Sequence, residues 1–161
     1  MKAIRFLVLG LALLLWIPAS AIAQTLDKKV LSFAAAEKIA AAAADAARAR
    51  GVDVVIAVVD DGGHLILLHR LDDTQVASVN VGIGKARTAA IYRRPSREFE
   101  EQIRAGRIAA LALVDSTPLQ GGVLLTVDGK VVGAVGVSGT ASQQQDEDVA
   151  RAGARALVGR S

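Results

Sequence analysis

The chain carries two histidines, His64 and His69, and no cysteine, so metal ligation by soft or borderline side chains falls on these two imidazoles. They lie five residues apart in one apolar run, and on a regular strand an odd separation sends side chains to opposite faces. Two imidazoles so placed cannot share one ion. On that alternation His64, Ile66, Leu68 and Arg70 line one face, while Leu65, Leu67, His69 and Leu71 line the other.

His64 follows Gly62-Gly63, where a backbone turn leaves open space, and its face combines apolar residues with the guanidinium of Arg70. An imidazole, an apolar wall and nearby cations meet the needs of a haem: axial ligation of iron, burial of the ring and pairing of the propionates. The same residues also suit a turn histidine hydrogen-bonded to backbone, and spacing does not decide between the two. Lys85, Arg87, Arg93 and Arg94 supply cationic donors in and after a helix, or else a solvated basic face. Tyr92, the sole tyrosine, has the chemistry to ligate ferric iron as well as the shape to edge a core.

Other chemistries find less support. Val81-Gly82-Ile83-Gly84-Lys85-Ala86 resembles a phosphate loop, but Walker A requires a glycine where Val79 stands and a hydroxyl where Ala86 stands. No Gly-x-Ser-x-Gly elbow frames Ser116 or Ser138. The sequence shows no catalytic signature.

The elements that must position these residues follow from pattern. Ser32 caps a helix through an alanine-rich run to Arg50, and Gly51 suits its left-handed end. Asp53 to Val59 and Leu65 to Leu68 are β-rich runs joined by Asp60-Asp61-Gly62-Gly63, and Val123 to Val127 and Lys130 to Val137 are joined by Asp128-Gly129, the type I′ pair. Thr74 to Tyr92 has helical spacing and stops before Pro95. Ser96 caps a short helix ending near Gly106, Ala109 to Val114 reads as a further strand, and Ser142 with Gln145 opens a last helix as a capping box. Gly133, Gly136 and Gly139, at steps of three in a strand, imply a close helix, a bulge or a ligand. Consecutive hairpins exclude a doubly wound parallel sheet. The expected architecture is α+β, a five-stranded antiparallel sheet of hairpins covered by helices.

Met1 to Ala23 has Lys2 and Arg5, an apolar run from Phe6 to Ile17 and a small-x-small ending, the pattern of a cleaved secretory signal peptide. Cleavage would lower the net charge from +3 to +1, so the basic character of the whole chain implies no nucleic-acid surface. The remaining residues 24–161 are one domain by length, expected in the periplasm or the medium and stabilised by a core without disulfides.

VVDDGGHLILLHRLDD (residues 58–73), GKARTAA (84–90) and STPLQGGVLLTVDGKVVGAVGVSG with QDEDVARAG further on resemble the GlcG/HbpS-like haem-binding family, which includes the C-terminal domain of PduO-type corrinoid adenosyltransferases. The likeness spans nearly the whole chain after the leader. It implies a profilin-like antiparallel sheet, homo-oligomers up to octamers, and binding of haem or a related tetrapyrrole. By position it favours His64 as haem ligand with Arg70 and Lys85 as pocket cations, and it ranks His69 second. Some exported members degrade haem and act with a membrane sensor kinase. The chain departs from the family pattern at Leu71, where methionine is usual, and at Val123, where proline often follows the two glycines. The leading expectation is therefore an exported haem-binding protein serving sequestration, degradation or redox sensing. The alternatives are a small enzyme acting on an organic acid or aromatic held by Arg70 and Lys85, and a non-catalytic oligomeric interaction module.

Overall fold

The computed structural model describes residues 24–157, so the leader expected over residues 1–23 lies outside them. In chain order the elements are α1 (Phe33–Arg48), β1 (Val55–Asp60), β2 (Leu65–Arg70), α2 (Ser78–Tyr92), α3 (Arg97–Arg104), a 3-10 turn (Ile108–Ala112), β3 (Gly122–Val127), β4 (Lys130–Ser138) and α4 (Gln143–Arg155). The strands form one antiparallel sheet in the order β2-β1-β4-β3. The two hairpins are thus joined through their inner strands, and every β1 residue from Val55 to Val59 is buried on one face or the other.

The two faces are covered differently. Val54, Ile56, Val58, Val135 and Val137 pack with the buried alanines of α1 and with Val149 and Ala150 of α4. Ala57, Val59 and Ala134 on the other face meet Ala86, Ala89 and Ala90 of α2. Small side chains on that face allow backbone contact. A Cβ on Gly136 would stand 2.2 Å from the carbonyl oxygen of Gly82 and 2.5 Å from the nitrogen of Ala86, so this glycine exists to admit α2. Gly133 and Gly139 likewise meet carbonyls, those of Val59 and Asp53. Helix and strand packing account for all three strand glycines.

Both serine caps read from the sequence form, although at Ser142 the return bond from the Gln145 side chain that would complete a capping box is absent among the described residues. The Ser32 hydroxyl accepts from the amide of Ala35, and the Ser142 hydroxyl accepts from that of Gln145. Asp128 and Gly129 adopt φ values of 49° and 72°, as a type I′ turn requires. Lys29 pairs with Asp128 and holds its carboxyl below the ordinary carboxylate range. Ser96 behaves otherwise: its hydroxyl donates to the carbonyl of Leu119 and accepts from the amide of Gly122, fastening the segment before β3 instead of capping α3.

Three expectations are corrected. The sheet has four strands among the described residues, because Ile108–Ala112 forms a 3-10 turn in place of the fifth. This stretch is alanine-rich, and its amides are satisfied locally, that of Ala110 by Arg107 and that of Leu113 by Ala110. Helix α2 begins at Ser78, not Thr74, because Asp72 to Ala77 are used in turns anchored by Thr74 on the carbonyl of Leu71. Finally, a bulge between Val58 and Val59 pairs Leu65 with Val59 and turns Ile66 toward the α1 and α4 core. His64 and Ile66 therefore do not share a face with Leu68 and Arg70 by simple alternation.

Candidate functional site

The β1–β2 hairpin tip is built by one aspartate. Asp60 Oδ1 accepts from the amides of Gly62 at 2.9 Å and His64 at 2.8 Å, an arrangement that closes the turn and fixes the His64 backbone. Gly63 has φ of 81°, and a Cβ there would lie 2.8 Å from Arg87 Cγ and 2.9 Å from Ile91 Cγ2. This residue lets the tip rest on α2. Arg87 secures the contact by donating from Nε to the carbonyl of Gly63 at 3.2 Å.

His64 itself is exposed, and no hydrogen bond among the described residues engages its imidazole. A Cβ on the exposed Gly62 would come within 3.1 Å of its Cδ2 and 3.4 Å of its Nε2. The glycine pair thus has two functions: the second member docks the turn and the first keeps the ring uncrowded. Leu65, the next residue in the chain, is nearly half exposed, Ile91 lies against Gly63 of the same turn, and the Arg87 terminal nitrogens have no hydrogen-bond partner among the described residues.

The other predicted residues do not converge on this tip. His69 and Arg70 border a groove of about 510 Å³ at the far end of β2, together with Arg48, Asp53, Leu68, Leu71 and Asp72. Arg70 there donates to the carbonyl of Thr74. Arg70 pairs with Val55 at the start of β1, and Asp60 stands at its end, so the groove lies roughly 16 Å of strand away from the His64 turn.

Lys85 is not an open cation at a haem-sized pocket. Its side chain is 2% exposed, and its Nζ donates to Asp146 Oδ2 at 2.7 Å and to the carbonyl of Val137 at 3.0 Å. Asp146 is held in turn by the amide and hydroxyl of Thr140 on its Oδ1. The pair joins α2 on one face of the sheet to α4 on the other around the end of β4. It also lines a cavity of about 240 Å³ bordered by Ser138, Thr140 and Gln143. Tyr92 is equally committed: its hydroxyl donates to the carbonyl of Val114 at 2.7 Å, and its ring packs edge-on against Phe99 at 5.3 Å. Arg94 stacks over the same Phe99 ring, while Arg93 caps α2 in a left-handed conformation.

Asp146 and Glu147 stand near the start of α4. Both are buried, Asp146 as the partner of Lys85 and Glu147 as acceptor from Arg151 and Gln120. The four-residue spacing of Glu147 and Arg151 is a legible helix pair. Nothing local links Lys85 to a residue 61 positions later.

Comparisons with known proteins bear on the same region. A family model described as haem degrading protein HbpS-like matches residues 31–155. Protein GlcG of Escherichia coli (strain K12) is 44% identical over 111 residues, covering 69% of this chain and 83% of that protein. The crystal structure of HbpS matches with a TM-score of 0.79 at 32% identity, over 85% of this chain and 96% of that one. The crystal structure of a PduOC:Heme complex matches with a TM-score of 0.72 at 27% identity, over 80% of this chain and 95% of that one. The extent of these matches, on an α+β fold with a four-stranded antiparallel sheet, establishes that the chain belongs to the HbpS-like family.

Proposed function

We propose that this protein binds haem through His64. The observation that carries the reading is the exposed, uncommitted imidazole of His64, standing over a glycine whose absent side chain leaves room beside the ring. The donor set fits the group. A neutral imidazole is a common axial ligand of haem iron, Leu65 and Ile91 offer apolar surface to a porphyrin edge, and Arg87 offers a guanidinium to a propionate. Membership of the HbpS-like family and the likeness to a protein crystallised with heme support the same reading. When bound, haem would supply redox and oxygen chemistry; the chain's own residues would hold and orient it.

The second reading places haem in the groove beside His69, where Leu68, Leu71, Arg48 and Arg70 surround another imidazole. Titration of the purified protein with haemin, followed in the Soret band, separates the two. His64→Ala is expected to weaken binding roughly tenfold or more, which corresponds to about 1.4 kcal/mol, while His69→Ala leaves it within a factor of about two. The reverse order would move the site to the groove. A wild-type spectrum identical to free haemin would remove both readings.

Export and self-association belong to the same proposal. Residues 1–23 have the sequence of a secretory leader. Ile108, Leu111 and Val114 are each more than 60% exposed along the 3-10 turn and its exit, a surface suited to burial against a second copy.

A further inference from the structure

One stretch of the chain is attached to the rest by side chains alone. Residues 24–31 precede α1, adopt neither helix nor strand, and make no backbone hydrogen bond among the described residues. They cross the end of the sheet where both hairpin turns lie. Lys28 Nζ stands 2.8 Å from Asp61 Oδ2 on the β1–β2 turn, and Lys29 pairs with Asp128 on the β3–β4 turn. Leu31 then packs against the core beside Gly133, and Ser32 opens α1.

The first of these attachments lies beside the candidate site. Asp61 is three residues before His64, in the turn that Asp60 Oδ1 closes by accepting from the amides of Gly62 and His64. Leu26 is two residues before Lys28, no more than about 7 Å of extended chain. Its side chain is 95% exposed, so no other part of the protein uses it. We infer that residues 24–27 form an arm, hinged at the Lys28–Asp61 pair, that closes over a tetrapyrrole at His64 with Leu26 as its apolar contact. This rests on the haem reading and supplies what that site is short of.

The shortage is one of cover. Sites for flat organic ligands bury most of the ligand surface in apolar surroundings. The His64 turn is exposed, and Leu65, its one neighbouring leucine, is itself nearly half exposed. A ring plane laid against the imidazole there would leave its other side in water. The attachment suits a moving cover. An ion pair whose lysine is 62% exposed is easily exchanged with water, and with no backbone bonds to break the arm moves at little cost. The same pair keeps Leu26 close to the turn, so closure orders few residues. A ligand that meets Leu26 only in the closed position shifts the arm toward that position.

Lys28 and Lys29 make the arm readable by trypsin. Purified protein is digested with and without haemin, and cuts after Lys28 and Lys29 are followed by mass spectrometry. Haem-free protein should be cut there readily, because the bonds lie in unpaired, exposed backbone. Saturating haemin should slow both cuts about fivefold or more, and His64→Ala should gain no such protection. In Soret titrations Leu26→Ser should raise the haemin Kd about tenfold, while Leu26→Met stays within about twofold of wild type. Position 26 is exposed, so neither substitution burdens the fold. A Soret band that does not change when protein is added would end the haem reading and this inference with it. A His64-dependent Soret change with unslowed cleavage, or Leu26→Ser protein that binds haemin like wild type, would overturn the closing arm alone.

Discussion

Replacing Lys85 by Met is the most informative single perturbation of the fold. It keeps the length of the side chain and removes the charge, leaving Asp146, 4% exposed, without its ion-pair partner. Removing one member of a buried ion pair costs about 3–5 kcal/mol, because the surviving charge is left in a poorly solvating interior. Two features moderate this. Asp146 keeps the amide and hydroxyl of Thr140, and a carboxyl can take up a proton. The expected loss is therefore near 3 kcal/mol, a large part of the 5–15 kcal/mol by which domains of this size are stable. Adding Asp146→Asn should recover more than half of it, since the amide oxygen still accepts from Thr140 while no charge is buried. Urea unfolding monitored by circular dichroism measures both variants, with unchanged slopes as the sign that only stability has moved. A single variant within about 1 kcal/mol of wild type, or a double variant no better than the single, would refute the account of Lys85 as a structural bridge.

Other outcomes follow from the same contacts. Gly136→Ala forces a methyl against the backbone of α2 and should cost about 1–3 kcal/mol in thermal or urea unfolding. Gly62→Ala, at an exposed position, should leave stability within about 0.5 kcal/mol and yet weaken haemin binding, because the new methyl crowds the His64 ring. Tyr92→Phe removes a bond to the carbonyl of the exposed Val114, which water can then satisfy, and should cost no more than about 0.5 kcal/mol in urea unfolding. Because Asp128 has a lowered folded pKa, its contribution is present above the ordinary carboxylate range and lost as pH falls through the lowered value. In acid unfolding at low salt, Lys29→Ala should shift the lower limb, and high salt should erase the difference.

What was legible in the chain is what is written locally. The Asp128-Gly129 and Gly62-Gly63 corners, the Ser32 and Ser142 caps and the end of α1 near Gly51 each depend on neighbours a few residues away, and they stand where the pattern put them. The stretch after Gly106 failed because apolar residues alone do not distinguish a strand from an exposed 3-10 turn, and Ile108 and Leu111 turned out to face solvent. The bulge at Val58 is a property of two strands together, invisible to period-two counting along β2. Distance has the same effect at the site. His64 was placed beside its glycines correctly, but the expectation that Arg70 and Lys85 would surround it assumed a convergence that only the sheet register could grant. The register carries Arg70 to the opposite end of β2, and burial commits Lys85 to Asp146. Arg87, which does reach the hairpin tip, was one cation among several in the sequence.

Chemical rescue tests the haem assignment most directly. His64→Gly protein is loaded with haemin, its Soret band is recorded, and free imidazole is then added. The account predicts a loss of the wild-type band in the variant and its return as imidazole saturates the vacated ligand position. A variant whose haem spectrum equals that of wild type before any imidazole is added would contradict it.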